Sequence, residues 1–271
     1  MSPDDIEFLA RLLKEQSGLV ITPDKSYLLE SRLLPVSRKH DMKGLDDLVA
    51  KLKTGDDGLI TEVTEAMTTN ESFFFRDSKP FDLFREHVLP HLMSTRGDKK
   101  SFRVWCAAAS SGQEPYSLAI TLMEEGAKLD GWRYDIVGTD ISNQILDKAK
   151  AGLYSQFEVQ RGLPITLLIK YFEKQDEQWR IKPEIRSMIN YRFFNLLSDP
   201  ASLGKFDVVF CRNVLIYFDQ PMKKVILERI ASLMPADGML FLGGAETVLG
   251  ITQAFRPVAG QRGVYELTGE V

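Results

Sequence analysis

Phe102-Arg103-Val104-Trp105-Cys106-Ala107-Ala108-Ala109-Ser110-Ser111-Gly112 begins as a strand and ends as a run of small residues. A helix comes next, with Pro115 in its first turn and Leu118, Ala119, Leu122 and Met123 on one inward face. The alternation repeats downstream. Residues 134–140 predict a second strand, and Ser142 caps a helix carrying Ile145, Leu146 and Ala149. The stretch Val208-Val209-Phe210-Cys211 is short and continuously apolar, as in a strand buried on both faces. A helix over 220–233 follows, with Met222, Val225, Ile226, Ile230 and Leu233 apolar, then strands over 238–242 and 263–267. Strand alternating with helix predicts parallel βαβ units, an α/β fold with a doubly wound sheet across 99–271.

Two regions depart from that rhythm. Residues 154–196 hold Arg161-Gly162-Leu163-Pro164, the aromatic pair Tyr171-Phe172 and Gln178-Trp179-Arg180-Ile181-Lys182, and alternation through 188–193 predicts strands at its end. This reads as an insertion, 153–190, containing a small antiparallel β-sheet. The N-terminal residues read as short helices instead. Ser2-Pro3-Asp4-Asp5 offers an N-cap, a proline at the first helical position and acids at the positive end of the dipole. Ile6, Leu9, Leu12 and Leu13 form a stripe that Gly18 stops, and Thr22-Pro23-Asp24 repeats the start for a helix over 23–40. Stripes at Leu45, Leu48, Val49 and Leu52, and at Leu59, Ile60, Val63 and Met67, complete a small all-α domain, 1–70. Residues 71–98 are expected as a linker and connecting helix.

The 271 residues carry a net charge of −4, which argues against a surface built as a whole to grip nucleic acid or anionic lipid. Two cysteines and three histidines are too few for a disulfide framework or a cysteine zinc site, so no metal is expected. The opening Met1-Ser2-Pro3-Asp4-Asp5 lacks the basic and apolar regions of a secretory signal, and a cytoplasmic setting is expected.

Ligands of an open parallel sheet bind outside the carboxyl ends of its strands. Cys106–Gly112 occupies that edge, where small side chains let a ligand approach the backbone; such a stretch is more commonly just a tight strand-to-helix connection. Asp140, at the end of the second strand, suits the two hydroxyls of a ribose or the dipole of the helix that follows. Glu114 reads either as a helix-start acid or as the partner of a cationic ligand group. Asn195 and Asn213 stand at strand ends, as turn residues or as ligand contacts. The run Asn213-Val214-Leu215-Ile216-Tyr217-Phe218 is apolar enough to wall a pocket. Phe73-Phe74-Phe75 beside Arg76 either wedges the helical domain against the sheet domain or lines a cleft with Arg76 as its buried charge.

Five stretches together resemble the chemotaxis receptor methyltransferases, the CheR family, over nearly the whole chain. They are Thr68-Thr69-Asn70-Glu71-Ser72-Phe73-Phe74-Phe75-Arg76, Trp105 through Ser117, Gly138-Thr139-Asp140-Ile141-Ser142, Asn195-Leu196-Leu197 and Phe210 through Phe218. The resemblance implies a Rossmann-like methyltransferase sheet with a receptor-recognition domain before it. It implies methyl transfer from S-adenosylmethionine to receptor glutamates, with S-adenosylhomocysteine as product. Residue by residue, Asp140 would hold the ribose and Glu114 would face the methionine end. Asn70, Ser72, Arg76, Asn195, Leu196, Asn213 and Val214 would complete the cofactor pocket, with Arg76 and Tyr217 near the transferred methyl. Serine stands at 72 where the family often has threonine.

The implied partner is the cytoplasmic domain of chemoreceptors, the enzyme being a monomer recruited to membrane-embedded receptor arrays. Some members grip a receptor C-terminal pentapeptide through the antiparallel subdomain. The compact turn between Ile181 and Ile189 lacks a glycine-containing extension, which argues against such tethering. Lys25, Arg32, Arg38 and Lys39 give a +3 stretch against Glu30 alone, either a solvated face or one that docks on an acidic receptor bundle. A methyltransferase of another substrate, or a non-catalytic cofactor-binding adaptor, are the competing readings.

Overall fold

Helix-start chemistry at Ser2 sets the first element of the structure, a computed structural model that describes residues 1–22 and 25–269. Ser2 Oγ accepts the Asp5 amide at 3.2 Å and the Asp5 carboxylate accepts the Ser2 amide at 3.2 Å, so helix α1 (Pro3–Ser17) opens on a capping box. Gly18, left-handed at φ 74°, ends it. The start expected at Thr22-Pro23-Asp24 involves Pro23 and Asp24, which lie outside the described residues; α2 runs Tyr27–Lys39, and Ser26 before it makes no side-chain cap. In α3 (Leu45–Leu52) and α4 (Asp57–Met67) the expected stripes face inward, and Asp56 caps α4 by accepting the Leu59 amide at 3.1 Å. Leu9, Leu13, Leu29, Leu33, Leu48 and Val63 form the heart of this core, all at 0% exposure. Residues Met1–Thr69 and Tyr217–Met222 make up this smaller unit, and the rest of the chain makes up a larger one.

In the larger unit α5 (Lys79–Leu83), a π-helical turn over Phe84–Val88 and α6 (Leu89–Thr95) run on without a break. The stretch 71–98 is core as well as connection, because Phe74, Phe81, Phe84, Val88, Leu89 and Leu92 are buried in it. Then come β1 (Ser101–Cys106), α7 (Gln113–Glu124), β2 (Arg133–Asp140) and α8 (Asn143–Ala151), close to the predicted spans. The insertion follows: β3 (Leu153–Ser155), α9 (Gln156–Gln160), α10 (Ile165–Tyr171), β4 (Phe172–Gln175), β5 (Gln178–Ile181) and α11 (Pro183–Arg186). Its strands pair antiparallel in the order β3-β5-β4.

The strand β6 (Ile189–Phe193) corrects the expectation for the insertion's end: it pairs parallel with β2 in the main sheet. As an edge strand it buries Ile189 and leaves Asn190, Arg192 and Phe193 exposed, so it alternates like a hairpin strand. After β7 (Val208–Cys211) and α12 (Gln220–Ser232), β8 (Met239–Leu242) completes the parallel set. Two antiparallel strands close the sheet, β9 (Phe255–Pro257) and β10 (Val264–Leu267). The sequence reading has no counterpart of β9, since Pro257 argues against a strand anywhere but at an edge. The full order is β6-β2-β1-β7-β8-β10-β9.

Side chains alternate across this sheet. On one face Phe210 stacks on Phe241 with centroids 4.3 Å apart; on the other Trp105 stacks on Phe206 at 5.5 Å and donates to Thr139 Oγ1 at 2.9 Å. Full burial of such a ring contributes about 1.5–3 kcal/mol. Among the described residues no helix is long and apolar enough to cross a membrane.

Candidate active site

Strand order reverses beside β1, which has β2 on one side and β7 on the other, so a crevice is expected at the carboxyl ends of these three strands. The chain leaving β1 ties both neighbours. The Ala107 amide donates to the Phe210 carbonyl and the Ala109 amide to that of Thr139, each at 2.8 Å. Ser110 then turns left-handed at φ 49°, a strain of about 1–3 kcal/mol for a residue with a Cβ. Gly112 opens α7 at φ 93°, and a Cβ there would sit 2.6 Å from the Tyr191 hydroxyl. Below the loop the Tyr154 hydroxyl donates to the Ser111 carbonyl at 2.7 Å, and the Tyr116 hydroxyl to that of Ala149 at 2.7 Å. Burial pushes Tyr116 up to about 12, so it serves as a neutral donor.

Asp140 is buried at the end of β2. Its Oδ2 accepts the Ser110 amide at 2.9 Å and its Oδ1 the Ser142 amide at 3.1 Å. The cap of α8 is Ser142, whose Oγ accepts the Ile145 amide at 3.2 Å. Asp140 is therefore spared the cap and spent on the loop after β1.

The buried cation is Arg212, immediately after β7, and not Arg76. Its side chain is 1% exposed; Nη1 meets Glu114 Oε2 at 2.7 Å, while Nη2 meets Asp77 Oδ2 at 2.7 Å and the Arg76 carbonyl at 3.0 Å. Glu114 is thus paired inside the protein. Burial pushes its carboxyl above the ordinary value and the guanidinium beside it pulls back. Arg76 is half-buried, donates to the Glu71 carbonyl at 2.9 Å and lies 5.4 Å from the Phe73 ring centre.

The three phenylalanines find their ring and cation partners within the larger unit. Phe73 has Arg161 over it at 4.3 Å, Phe74 packs on Tyr154 and Phe172, and Phe75 packs on Phe81. The insertion reaches this segment closely: Arg161 pairs with Glu71 at 2.7 Å, and a Cβ on Gly162 would meet the Phe74 carbonyl at 2.0 Å. Asn70 and Ser72 line a cleft of about 210 Å³ with Ser111, Gln113, Ile145 and Arg161.

After β6, Asn195 Oδ1 accepts the Leu197 amide at 3.0 Å, a local turn, with Leu196 half-buried beside it. After β7, Asn213 is left-handed at φ 59° and Val214 is half-buried. Tyr217 belongs to the smaller unit, where its carbonyl accepts the Val20 amide at 3.2 Å. Lys25 stands two residues before α2 rather than on it and is exposed, as is Arg38 near the end of α2, while Lys39 pairs with Glu62 at 2.7 Å. Arg32 departs from the expected basic face: Nη1 donates to the carbonyls of Met67 at 2.6 Å and Thr68 at 3.1 Å, and Nη2 to Thr69 Oγ1 at 3.0 Å. The negative end of the α4 dipole draws the guanidinium in.

Two residues have no assigned part in the sequence reading. Arg212 betrays itself only as a lone charge in the apolar run 208–218, and Glu246, past β8, only as an acid after two glycines. Its carboxylate accepts the amides of Asn213, Val214, Leu215 and Gly243.

Comparison with known proteins matches residues 70–264 to the family described as CheR methyltransferase, SAM binding domain, and residues 4–68 to CheR methyltransferase, all-alpha domain. Chemotaxis protein methyltransferase 1 of Pseudomonas aeruginosa is 41% identical over 264 residues, 96% of either chain. The chemotaxis protein methyltransferase of Vibrio anguillarum is 38% identical over 268 residues, 97% of this chain and 96% of that one. That of Borreliella burgdorferi is 31% identical over 258 residues, 92% and 90% of the two chains.

Proposed function

The chain belongs to the CheR methyltransferase family, and we propose on that premise that it methylates glutamate side chains of chemoreceptors to give glutamyl methyl esters. Its activity is S-adenosylmethionine-dependent methylation in chemotaxis. The observation that carries the proposal for the site is Asp140, buried at the switch point with its carboxylate fastened to the loop after β1.

The donor set fits the cofactor. A carboxylate at the end of β2 suits a ribose diol, and the small residues 107–112 let a ligand lie against backbone. Arg212 Nε is buried without a partner, a spare donor beside the Glu114 acceptor, and the two suit the carboxylate and ammonium of a methionine end. Asn70, Ser72, Asn195, Leu196, Asn213 and Val214 complete the pocket in this reading. When bound, S-adenosylmethionine supplies a methyl carbon activated by a sulfonium.

A glutamate substrate is already ionised at neutral pH, so the chain has no proton to remove. Its task is to hold the incoming carboxylate in line and keep water out, because opposite charges cancel as the methyl moves and a dry site favours that cancellation. Arg76, with N–H groups beyond the one on Glu71, orients the carboxylate. Tyr217 supplies an orienting hydroxyl. Lys25 and Arg38 steer an acidic receptor bundle, and Arg32 shapes the smaller unit beneath them. The enzyme works as a monomer in the cytoplasm at receptor arrays.

The test is transfer of tritiated methyl groups to receptor cytoplasmic fragments, followed by mass mapping. Base-labile label on glutamate is expected. Cofactor binding without transfer, or base-stable label on nitrogen, would sink the glutamate reading.

A further inference from the structure

Glu246 lies four residues beyond β8, in Gly243-Gly244-Ala245-Glu246, and is 8% exposed. Its carboxylate meets neither a guanidinium nor an ammonium in the described ion pairs; main-chain amides surround it. Oε2 accepts Asn213 and Gly243, each at 2.7 Å, and Oε1 accepts Val214 at 2.9 Å and Leu215 at 2.7 Å. A carboxylate has about four acceptor sites, and here four amides use them. Three of those amides are consecutive in the turn that leaves β7.

That turn is held in a conformation it would not keep unaided. Asn213 has φ 59°, a region that residues with a Cβ visit rarely and asparagine more readily than most. The other wall is equally close. A Cβ on Gly243 would lie 2.7 Å from Glu246 Oε2, 2.8 Å from Asn213 Nδ2 and 3.0 Å from the Asn213 amide. Glycine is required there so that the backbone after β8 can close on the same carboxylate.

We propose that Glu246 is a positioning residue for methyl transfer: it fixes the Asn213–Val214 turn in the form that receives the cofactor, without touching the cofactor itself. The inference rests on the reading above that Asn213 and Val214 line the cofactor pocket. Substituting glutamine removes one acceptor oxygen and puts an amino group against two buried amides, so the turn loses the restraint that holds Asn213 left-handed.

The experiment is calorimetric titration of the full chain with S-adenosylhomocysteine, alongside thermal unfolding, for wild type, Glu246→Gln, Gly243→Ala, Asn213→Ala and Val264→Ala. Val264 is a fully buried β10 residue of the same unit and controls for destabilisation alone. Glu246→Gln is expected to weaken binding at least tenfold below its unfolding transition. Gly243→Ala, which keeps the carboxylate and crowds the turn, should do the same; it carries the test if Glu246→Gln does not fold. Val264→Ala should stay within twofold of wild type. With Asn213→Ala weakened, affinity within twofold for both Glu246→Gln and Gly243→Ala would overturn the proposal while leaving the pocket reading intact. An equal loss in Val264→Ala would overturn it as well. Undiminished binding in Asn213→Ala would refute the pocket reading, and the proposal with it.

Discussion

Replacing Arg212 with methionine keeps an unbranched apolar stem and removes the one cation that faces Glu114 in the described ion pairs. The two legs of the guanidinium differ in weight. Asp77, 53% exposed, recovers its hydration when the partner goes, and a pair of that kind is worth about 0–1 kcal/mol. The Glu114 side chain is 11% exposed and cannot do so. Removing one partner of a buried pair costs about 3–5 kcal/mol, unless the stranded carboxyl takes up a proton.

That escape sets the pH dependence. Burial already pushes Glu114 above 4.5 and Arg212 pulls it back, so Arg212→Met moves it further up. A carboxyl raised in the folded state keeps its proton where the unfolded chain has lost it, and stability falls as pH rises from 4.5 toward the raised value. The deficit of Arg212→Met should therefore be about 3 kcal/mol at about pH 8 and clearly smaller at about pH 5. Urea unfolding followed by tryptophan fluorescence reads it, because Trp105 is buried in the same unit. Adding Glu114→Gln should recover part of the loss at the higher pH. A deficit below about 1 kcal/mol, or one indifferent to pH, would refute the reasoning.

Asp140→Ala should abolish the titration heat with S-adenosylhomocysteine and, by leaving the Ser110 and Ser142 amides without this acceptor, lower unfolding free energy by about 1–3 kcal/mol; undiminished heat would contradict the assignment. Asp237, hydrogen-bonded by Arg96, is lowered from 3.8 to about 2, so its contribution is present above 3.8 and lost as pH falls through about 2. Its side chain is 35% exposed, so Asp237→Asn should cost about 1 kcal/mol near neutrality and flatten the acid limb; a variant that still loses stability as steeply over that range counts against this. Lys25→Glu with Arg38→Glu should slow receptor methylation at low salt and spare cofactor affinity, as initial rates at two ionic strengths would reveal. Arg32→Ala should instead destabilise the smaller unit by about 1–3 kcal/mol through the carbonyls it abandons, and an unchanged denaturation curve would refute that role.

The central βαβ units were legible because buried parallel strands are written as continuous apolar runs and their helices carry local punctuation. Ser142 caps α8 and Gly152 ends it, as read. Where a strand has one exposed face the writing becomes ambiguous. Ile189–Phe193 alternates as a hairpin strand would, and only its register against Ile136–Asp140 assigns it to the main sheet. The strand Phe255–Pro257 is too short and too proline-marked to announce itself. Arg32 shows the limit for charge: helical periodicity puts it on the face of Lys25 and Lys39, yet carbonyls some 35 residues away occupy it.

The candidate site was legible as a place on the sheet and not as a set of pairings, for a physical reason. A carboxylate at a strand end is visible because topology alone makes that edge the crevice, so Asp140 stands out. What the carboxylate binds depends on loops brought together from far along the chain: Glu114 and Arg212 are 98 residues apart, Asp140 and Ser110 are 30, and Glu246 and Asn213 are 33. All three acids are buried, and each spends its charge on holding another segment of the same crevice. Asp140 fastens the exit of β1, Glu246 the exit of β7, and Glu114 the cation that also grips Asp77 and the Arg76 carbonyl. Under the proposed carboxylate acceptor the transfer needs no general base, and such a transfer has little use for a single reactive side chain and much use for fixed geometry. Burying three carboxylates against amides and one guanidinium is expensive in an isolated core. At this edge it yields strand exits that need not reorganise when the cofactor's sulfonium meets a methyl acceptor.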